Sequence, residues 1–204
     1  PSAVALNTVN KTFKKKPNKK KILIIGSGFI GLLISKIIEI KFQSPDVTII
    51  DRNKHKLKLV SKKFKKKFFR TKKKENFFLN RFDYVIDTTG SSEVINLALN
   101  YVKNQGSITL MGNINENVTL KKKNVNLILR KELSIIGVWN SNYKSLSQND
   151  WNEVLKLLNK GLKPSKYLSH KIKLEQLPKY LHKIYLNKLR KEKFKYLKIV
   201  VNND

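Results

Sequence analysis

KILIIGSGFIG, the segment from Lys21 to Gly31, combines a continuously apolar run with a glycine-rich turn and the start of an apolar helix. Short apolar runs followed by such a turn are typical of a buried parallel strand. The pattern therefore predicts a strand at Lys21–Ile25 and a helix at Gly31–Phe42. A second strand is predicted at Val47–Ile50, just beyond Pro45.

The turn has the spacing G-x-G-x-x-G, which is a dinucleotide-binding pattern when it lies between a strand and a helix. Gly26 permits the tight turn, Gly28 lets the backbone approach a pyrophosphate, and Gly31 lets the helix pack closely on the strand. The amides and the dipole at the helix start then bind phosphate oxygens. The predicted cofactor contacts in this turn are Gly26, Gly28, Phe29, Ile30 and Gly31. The alternative is a turn whose glycines serve packing alone.

Asp51 directly follows the second predicted strand, 20 residues past Gly31. A carboxylate at this position accepts hydrogen bonds from the ribose hydroxyl groups of adenosine, and its charge repels a 2′-phosphate. The sequence therefore favours NAD over NADP as the cofactor. Arg52 leaves NADP open, because an arginine beside this position can bind a 2′-phosphate; it can also stack on adenine or face water.

Strands and helices alternate through the middle of the chain. The predicted strands are Phe68–Phe69, Tyr84–Asp87, Ser107–Met111 and Leu133–Gly137, and the predicted helices are Lys54–Phe64, Glu93–Tyr101 and Val125–Arg130. This βαβ rhythm predicts an α/β fold, a doubly wound parallel sheet of the Rossmann type with helices on both faces.

The rhythm changes in the last sixty residues or so. The predicted elements there are a helix at Asp150–Asn159 capped by Asn149 or Asp150, a strand at His170–Leu174, a helix at Glu175–Arg190 and a strand at Tyr196–Val201. They do not prolong the doubly wound pattern, and they are interpreted as a piece of a second domain.

The chain of 204 residues is strongly basic, with 44 Lys plus Arg against 14 Asp plus Glu and a formal net charge of +30. Only five of the basic residues are arginine, the side chain that reads bases and phosphates through a planar fork; lysine is a hydrated point charge. We interpret the lysine runs as solvated surface in a sequence of AT-rich composition. Specific nucleic-acid binding is not expected, although weak nonspecific binding of polyanions is.

Composition also excludes several kinds of site. The sequence has no cysteine, so no disulfide, thiolate nucleophile or cysteine-ligated metal can form within it. His55, His170 and His182 are far apart and show no ligand spacing, so we predict no metal site from them. No apolar run approaches the roughly 20 residues of a membrane span. We expect a soluble, cytoplasmic protein that does not bind membranes.

Several segments together resemble one family, the medium-chain dehydrogenase/reductases that include the zinc-dependent alcohol and polyol dehydrogenases. The matching segments are Pro1–Leu6, Gly26–Gly31, Asp87–Gly90, Gly106–Gly112 and Arg130–Gly137. Within the family, Gly137–Ser141 and Asn149–Trp151 look most like the galactitol-1-phosphate 5-dehydrogenases, with sorbitol and threonine dehydrogenases as near neighbours.

The resemblance implies further cofactor contacts. Thr88, Thr89 and Gly90 are implied to line the adenosine side of the cleft, and Gly112 and Val138 to touch the nicotinamide end. A common Thr-Gly turn and simple core packing are the alternatives for these residues.

The resemblance also implies an activity and a division of the chain. The family oxidises a secondary alcohol of a polyol or polyol phosphate with NAD, assisted by a zinc ion that polarises the substrate hydroxyl group. It implies an entry segment at 1–20, the NAD-binding Rossmann domain at 21–142 and the C-terminal part of a truncated catalytic domain at 143–204. The zinc ligands of the family lie on a domain outside this sequence. We therefore expect this chain alone to bind NAD weakly and to be inactive.

The expected partners are a small-molecule polyol and further copies of the same chain in a homo-oligomer, as in relatives. The alternative hypothesis is a non-catalytic, lysine-rich Rossmann module that binds a nucleotide or nucleic acid.

Overall fold

The computed structural model describes residues 1–69, 78–114, 116–189 and 195–202. Its largest element is a six-stranded, all-parallel sheet with the strand order β3-β2-β1-β4-β5-β6. The strands are β1 (Lys21–Ile25), β2 (Asp46–Asp51), β3 (Lys65–Phe68), β4 (Phe82–Asp87), β5 (Val102–Leu110) and β6 (Ser134–Gly137). This order is that of a doubly wound sheet, and the predicted α/β class is confirmed.

The central strand explains why the sequence pattern was strong. β1 pairs with β2 on one side and with β4 on the other, so both of its edges are hydrogen-bonded within the sheet. Ile22, Leu23 and Ile24 are completely buried, as a continuous apolar run in a parallel sheet requires. The strand order reverses between β1 and β4, and the crevice at such a point is where ligands of open α/β sheets bind.

Seven α-helices are formed by the described residues. They are α1 (Ser2–Thr12), α2 (Phe29–Lys41), α3 (Lys54–Lys58), α4 (Ser92–Tyr101), α5 (Lys122–Arg130), α6 (Asp150–Asn159) and α7 (Leu177–Lys188). The side chain of Asn149 caps α6 by accepting a hydrogen bond from Asn152 N, which settles the choice between Asn149 and Asp150. None of the helices in the described ranges is long and apolar enough to cross a membrane.

The helix predicted at Lys54–Phe64 is wrong in length. α3 ends at Lys58, and the chain then turns through Ser61, whose carbonyl accepts a hydrogen bond from Phe64 N. The apolar residues Val60 and Phe64 are buried by this turn. Their spacing resembles that of a helix, but the segment that carries them is not helical. The turn brings the chain to β3, which begins earlier than the predicted strand at Phe68–Phe69.

α1 was not predicted from the sequence. Its apolar face is buried at Ala5, Leu6 and Val9, and the helix packs against α2 and α6. Polar side chains also attach it to other segments: the Asn7 side chain donates to the carbonyl of Asn140, and the Thr12 and Thr109 hydroxyl oxygens lie 2.8 Å apart.

One face of the sheet carries an apolar cluster. It is formed by residues of β1, β2, β4, β5 and α4, together with Phe69 and Phe78. Its aromatic members are Phe69, Phe78, Phe82 and Tyr101, and its aliphatic members include Leu23, Ile25, Ile50, Val85, Ala98 and Leu99. This packing fixes α4, and with it the turn that precedes α4 at the edge of the sheet.

The chain forms two compact units, Pro1–Leu162 and Lys163–Asp204. The second unit contains two short 3-10 helices, α7, and a pair of parallel strands, β7 (His170–Lys173) and β8 (Ile199–Asn202). The predicted helix at Glu175–Arg190 and strand at Tyr196–Val201 correspond to α7 and β8 with shifted ends, and Arg190 itself lies outside the described residues. The division of the chain at residues 20 and 142 stays a prediction.

Candidate functional site

The glycine-rich turn leaves the carboxyl end of β1. Gly26 has a φ of +101°, a conformation that side-chain-bearing residues rarely adopt. A Cβ atom built there would lie 2.4 Å from Thr88 Oγ1, so the position also lacks space for a side chain. Gly26 N donates to Ile50 O at 2.9 Å, which attaches the turn to β2.

Gly28 and Gly31 differ in what surrounds them. A Cβ atom at Gly28 would meet nothing within 4 Å, because this residue faces open space at the start of α2. A Cβ atom at Gly31 would lie 2.1 Å from Gly26 O, so the helix packs on the turn as closely as a glycine allows. The first intrahelical hydrogen bond runs from Leu32 N to Gly28 O at 2.9 Å, and the amides before it lie at the positive end of the helix.

The Asp51 carboxylate is bonded to this turn. Its Oδ2 accepts hydrogen bonds from Ser27 N at 2.6 Å and from Ser27 Oγ at 2.8 Å, and its Oδ1 accepts one from Asn53 N at 2.7 Å. A carboxylate has about four lone-pair sites, so Asp51 retains acceptor capacity beyond these three bonds. Sequence spacing placed Asp51 beside the turn correctly but gave no role to Ser27.

Thr88 connects the turn after β4 to the turn after β1. Its hydroxyl group donates to Ile25 O at 2.9 Å and lies 3.2 Å from Gly26 O. Thr88 N also donates to Ile25 O, at 3.0 Å. Thr88 therefore holds the backbone of the glycine-rich turn by hydrogen bonds. This contact joins distant segments, and spacing alone does not reveal it.

Asp87 is a buried carboxylate that sequence reasoning missed. Its side chain accepts hydrogen bonds from Thr89 N at 2.8 Å, Thr89 Oγ1 at 2.7 Å and Gly90 N at 3.3 Å. Burial raises the pKa of Asp87, against the opposing effect of these three donors. Its carbonyl oxygen accepts from Met111 N and Gly112 N, so one residue holds the turns after β4 and β5 together.

Gly90 and Gly112 are glycines because these two turns touch. Gly90 has a φ of +66°, and a Cβ atom there would lie 2.1 Å from Asn113 O. A Cβ atom at Gly112 would lie 2.1 Å from Gly90 N. The turns after β4 and β5 are therefore in direct backbone contact.

The remaining predicted residues lie around this centre. Phe29 and Ile30 open α2 and are half-buried, while Arg52 is exposed beside Asp51. Val138 follows β6 and is buried, with its amide donating to Leu110 O at 2.9 Å. Hydrogen bonds thus join the turns after β1, β2 and β4 directly, and Asp87 joins the turn after β5 to them.

The side chains available as metal ligands do not fit a zinc site. The chain contains no cysteine, and the described residues contain no group of three or more His, Asp or Glu side chains that could hold a metal ion. The crevice does fit a dinucleotide, since it has a glycine cradle with open space at Gly28, a helix start and a carboxylate beside it.

A sequence model of the family described as "Zinc-binding dehydrogenase" matches residues 30–160, more than half of the chain. The chain belongs to the zinc-binding dehydrogenase family. The match includes the helix that follows the glycine-rich turn and the strands β2 to β6. The family resemblance predicted from the motifs is therefore confirmed.

Individual members of this family resemble the chain over part of their length. Galactitol 1-phosphate 5-dehydrogenase of Escherichia coli K12 is 27% identical over 146 residues, which are 68% of this chain and 42% of that protein. The chain thus spans less than half the length of the curated relative it matches. The chain also matches a crystal structure of galactitol-1-phosphate dehydrogenase from Escherichia coli, with a TM-score of 0.79 and 24% identity. The match covers 92% of this chain and 56% of the chain in that structure.

Two further crystal structures carry a cofactor. An alcohol dehydrogenase (rspB) from E. coli CFT073, complexed with NADH, has a TM-score of 0.76 and 21% identity, covering 99% of this chain and 57% of its own. TarJ of S. aureus, in complex with NADPH, has a TM-score of 0.75 and 20% identity, covering 98% and 61%. At these sequence identities, the likeness to the solved structures shows only that the chain shares their fold.

Proposed function

We propose that this member of the zinc-binding dehydrogenase family binds NAD in the crevice at the carboxyl edge of its six-stranded sheet. The observation that carries the proposal is the Asp51 carboxylate, hydrogen-bonded to Ser27 of the glycine-rich turn beside the open space at Gly28. A pyrophosphate at the start of α2 and a ribose at Asp51 are neighbours in one dinucleotide.

The proposed contacts follow the geometry of the turns. The backbone of Gly26, Gly28, Phe29, Ile30 and Gly31 cradles the pyrophosphate, whose negative charge is stabilised by the amides and dipole of α2. The turns after β4, β5 and β6 flank the rest of the cofactor. The residues assigned to that part are Thr88, Thr89, Gly90, Gly112 and Val138.

The choice of NAD over NADP rests on the charge of Asp51. An adenosine 2′-phosphate beside the bound ribose would lie close to this carboxylate and be repelled by it. Arg52 is exposed and adjacent to Asp51. The competing proposal is that its guanidinium group binds the 2′-phosphate of NADP. Comparing the affinities for NAD and NADP in the wild-type chain and in Arg52→Ala separates the two.

We infer that the reaction served is the oxidation of a secondary alcohol of a polyol or polyol phosphate. Support comes from the family and from the name of the curated relative, galactitol 1-phosphate 5-dehydrogenase. Bound NAD would supply the hydride acceptor for such an oxidation. The residues of this chain bind and orient the dinucleotide, and Asp87 holds the two turns that flank it.

A titration of the full chain with NAD tests the proposal. Asp51→Ala removes the ribose acceptor and is expected to weaken binding at least tenfold, on the order of the 1.5–3 kcal/mol of a hydrogen bond to a charged group. Asp46→Ala, the same substitution at the other end of β2, is the matched control and is expected to leave the affinity unchanged.

Gly28→Val provides a second arm. Its side chain enters the space assigned to the pyrophosphate, where no protein atom lies within 4 Å of the Cβ position. We expect the variant to fold normally and to lose NAD binding. Equal NAD affinity in the wild type, Asp51→Ala and Gly28→Val would show that the dinucleotide does not occupy this crevice.

A further inference from the structure

The topology of the sheet collects lysine at the edge opposite the proposed cofactor crevice. All six strands are parallel, so their amino ends meet at one edge. The segments that enter β1 and β3 at this edge are rich in lysine. They contribute Lys19, Lys20 and Lys21 before and at β1, and Lys62, Lys63 and Lys65 before and at β3.

The loop between α1 and β1 adds a further lysine run to the same edge. Phe13, which starts the loop, packs its ring on Phe42 after α2 and on Tyr84 near the start of β4, with centroid distances of 5.4 and 4.9 Å. Lys14, Lys15 and Lys16 follow it directly and are exposed. We call Lys14–Lys21 and Lys62–Lys66, which include the first residues of β1 and β3, the basic edge.

The carboxylates near the basic edge are already bonded to lysines. Asp46 lies 2.8 Å from Lys65 Nζ, and Asp83 lies 3.5 Å from Lys20 Nζ and 3.4 Å from Lys103 Nζ. Glu39, at the last turns of α2, bonds Lys36 at 3.0 Å and Lys63 at 3.5 Å. These acids therefore neutralise only part of the positive charge.

A surplus of cations remains after this pairing. Lys14, Lys15, Lys16, Lys19 and Lys62 are exposed and take part in no ion pair among the residues that the structure describes. Like charges held close together repel one another, and a polyanion that spans them relieves the repulsion and releases its own counterions.

A cavity of about 180 Å³ opens at the same edge, between the first residues of β1, β2 and β3 and those of β4. Its basic lining residues are Lys21, Lys65, Lys66, Lys67 and Arg81. Asp46 is the acid in this lining, and it is bonded to Lys65. The cavity is large enough for a phosphate group, and the ammonium group of Lys66 donates to Val60 O at 3.0 Å.

We propose that the basic edge binds the phosphate backbone of nucleic acid without reading its sequence. Lysine suits this role because an ammonium group contacts phosphate as a point charge, whereas base recognition favours the planar fork of arginine. The exposed lysines of the edge lie on loops and strand ends of the described chain and not on an amphipathic helix, the element that binds a membrane surface.

Anisotropy of a labelled oligothymidylate, titrated with the full chain at several salt concentrations, tests the proposal. The variant Lys14→Gln, Lys15→Gln, Lys16→Gln is compared with Lys121→Gln, Lys122→Gln, Lys123→Gln, which removes the same charge from the start of α5, outside the basic edge. We expect the first variant to bind about tenfold more weakly at low salt. Its slope of log affinity against log salt should fall by about 2, since single strands give about 0.7 per phosphate contact.

At about 0.1 M salt the second variant should change the affinity less than about twofold, because the Debye length is then about 10 Å and each charge acts only on its own part of the surface. Both variants should keep the NAD affinity of the wild type, and saturating NAD should not displace the oligonucleotide. Equal losses in the two variants, tighter binding to anionic phospholipid vesicles than to the oligonucleotide, or displacement by NAD would each overturn the proposal. The comparison of the two variants for oligonucleotide binding does not depend on whether the proposed dehydrogenase function is correct.

Discussion

Gly26 and Gly28 are two residues apart in one motif, yet the structure uses them for different purposes. Gly26 is required by the fold, because it has a positive φ and no room for a Cβ atom beside Thr88. Gly28 has no neighbour within 4 Å of its Cβ position, so the fold itself does not require a glycine there. What it leaves open is the space that we assign to the ligand.

This difference predicts that the same substitution affects stability at Gly26 and not at Gly28. Gly26→Ala should lower the free energy of unfolding by about 2 kcal/mol or more, through backbone strain and the contact with Thr88 Oγ1. Gly28→Ala should change it by less than about 0.5 kcal/mol. Urea denaturation of the two variants measures both values, and similar losses of stability at the two positions would contradict the assignment.

Asp83 predicts how stability depends on pH. Burial tends to raise the pKa of its carboxyl group, but the amide of Lys21 and the ammonium groups of Lys103 and Lys20 outweigh burial and hold the pKa below its usual value. Because the folded-state pKa is lowered, the carboxylate stabilises the folded state above the unfolded pKa of 3.8. This contribution is lost as the pH falls through the folded-state pKa.

We therefore expect Asp83→Asn to lower the free energy of unfolding by about 1 kcal/mol at neutral pH, the typical value of a hydrogen bond. The difference from the wild type should shrink as the pH is lowered below about 4, the ordinary carboxyl pKa. Urea denaturation of both proteins across this range measures it. A difference that stays constant with pH would show that the charge of Asp83 is not involved.

At the scale of elements, the sequence predicted most reliably where local signals agreed. β1, α2 and β2 were placed because an apolar run, a glycine-rich turn and a second apolar run follow one another within the segment Lys21–Asp51. α3 was predicted too long because buried apolar residues spaced as in a helix also occur in a turn. α1 was missed because its N-cap position is Pro1, which has no side chain that could cap the helix.

The site was predictable to the same extent. Motif spacing located Gly26, Gly28 and Asp51, since their positions follow from the chain leaving one strand and ending the next. The choice of hydrogen-bond partners was not predictable, because Thr88 to Ile25 and Ser27 to Asp51 join segments that only the folded sheet brings together. The roles of Ser27 and Asp87 could be recognised only from these contacts.

α1 is expected to contribute strongly to stability, although this helix was not predicted from the sequence. Leu6 is completely buried where α1 packs against the rest of the unit, so Leu6→Ala should lower the free energy of unfolding by about 2–5 kcal/mol. Lys11→Ala, on the exposed side of the same helix, is the matched control and should have an effect below about 0.5 kcal/mol. If the two substitutions had the same small effect in urea denaturation, α1 would not be packed as the structure shows.

For the whole molecule, the parallel sheet separates two chemistries onto opposite edges. The carboxyl edge gathers glycine turns, the start of α2 and the Asp51 carboxylate, whereas the amino edge gathers lysine ammonium groups. NAD carries phosphates and could associate weakly with either edge of so basic a chain. Affinity alone therefore does not establish where the dinucleotide binds.

Backbone amide chemical shifts of the isotope-labelled chain, followed during a titration with NAD, give the location directly. We predict the largest shifts at Ser27, Gly28, Phe29 and Gly31, with further shifts at Asp51 and the turn after β4. Amides of the basic edge, such as those of Lys14–Lys16, should move little at physiological salt. Shifts confined to the basic edge, or none at the glycine-rich turn under saturating NAD, would contradict the assignment of the crevice as the cofactor site.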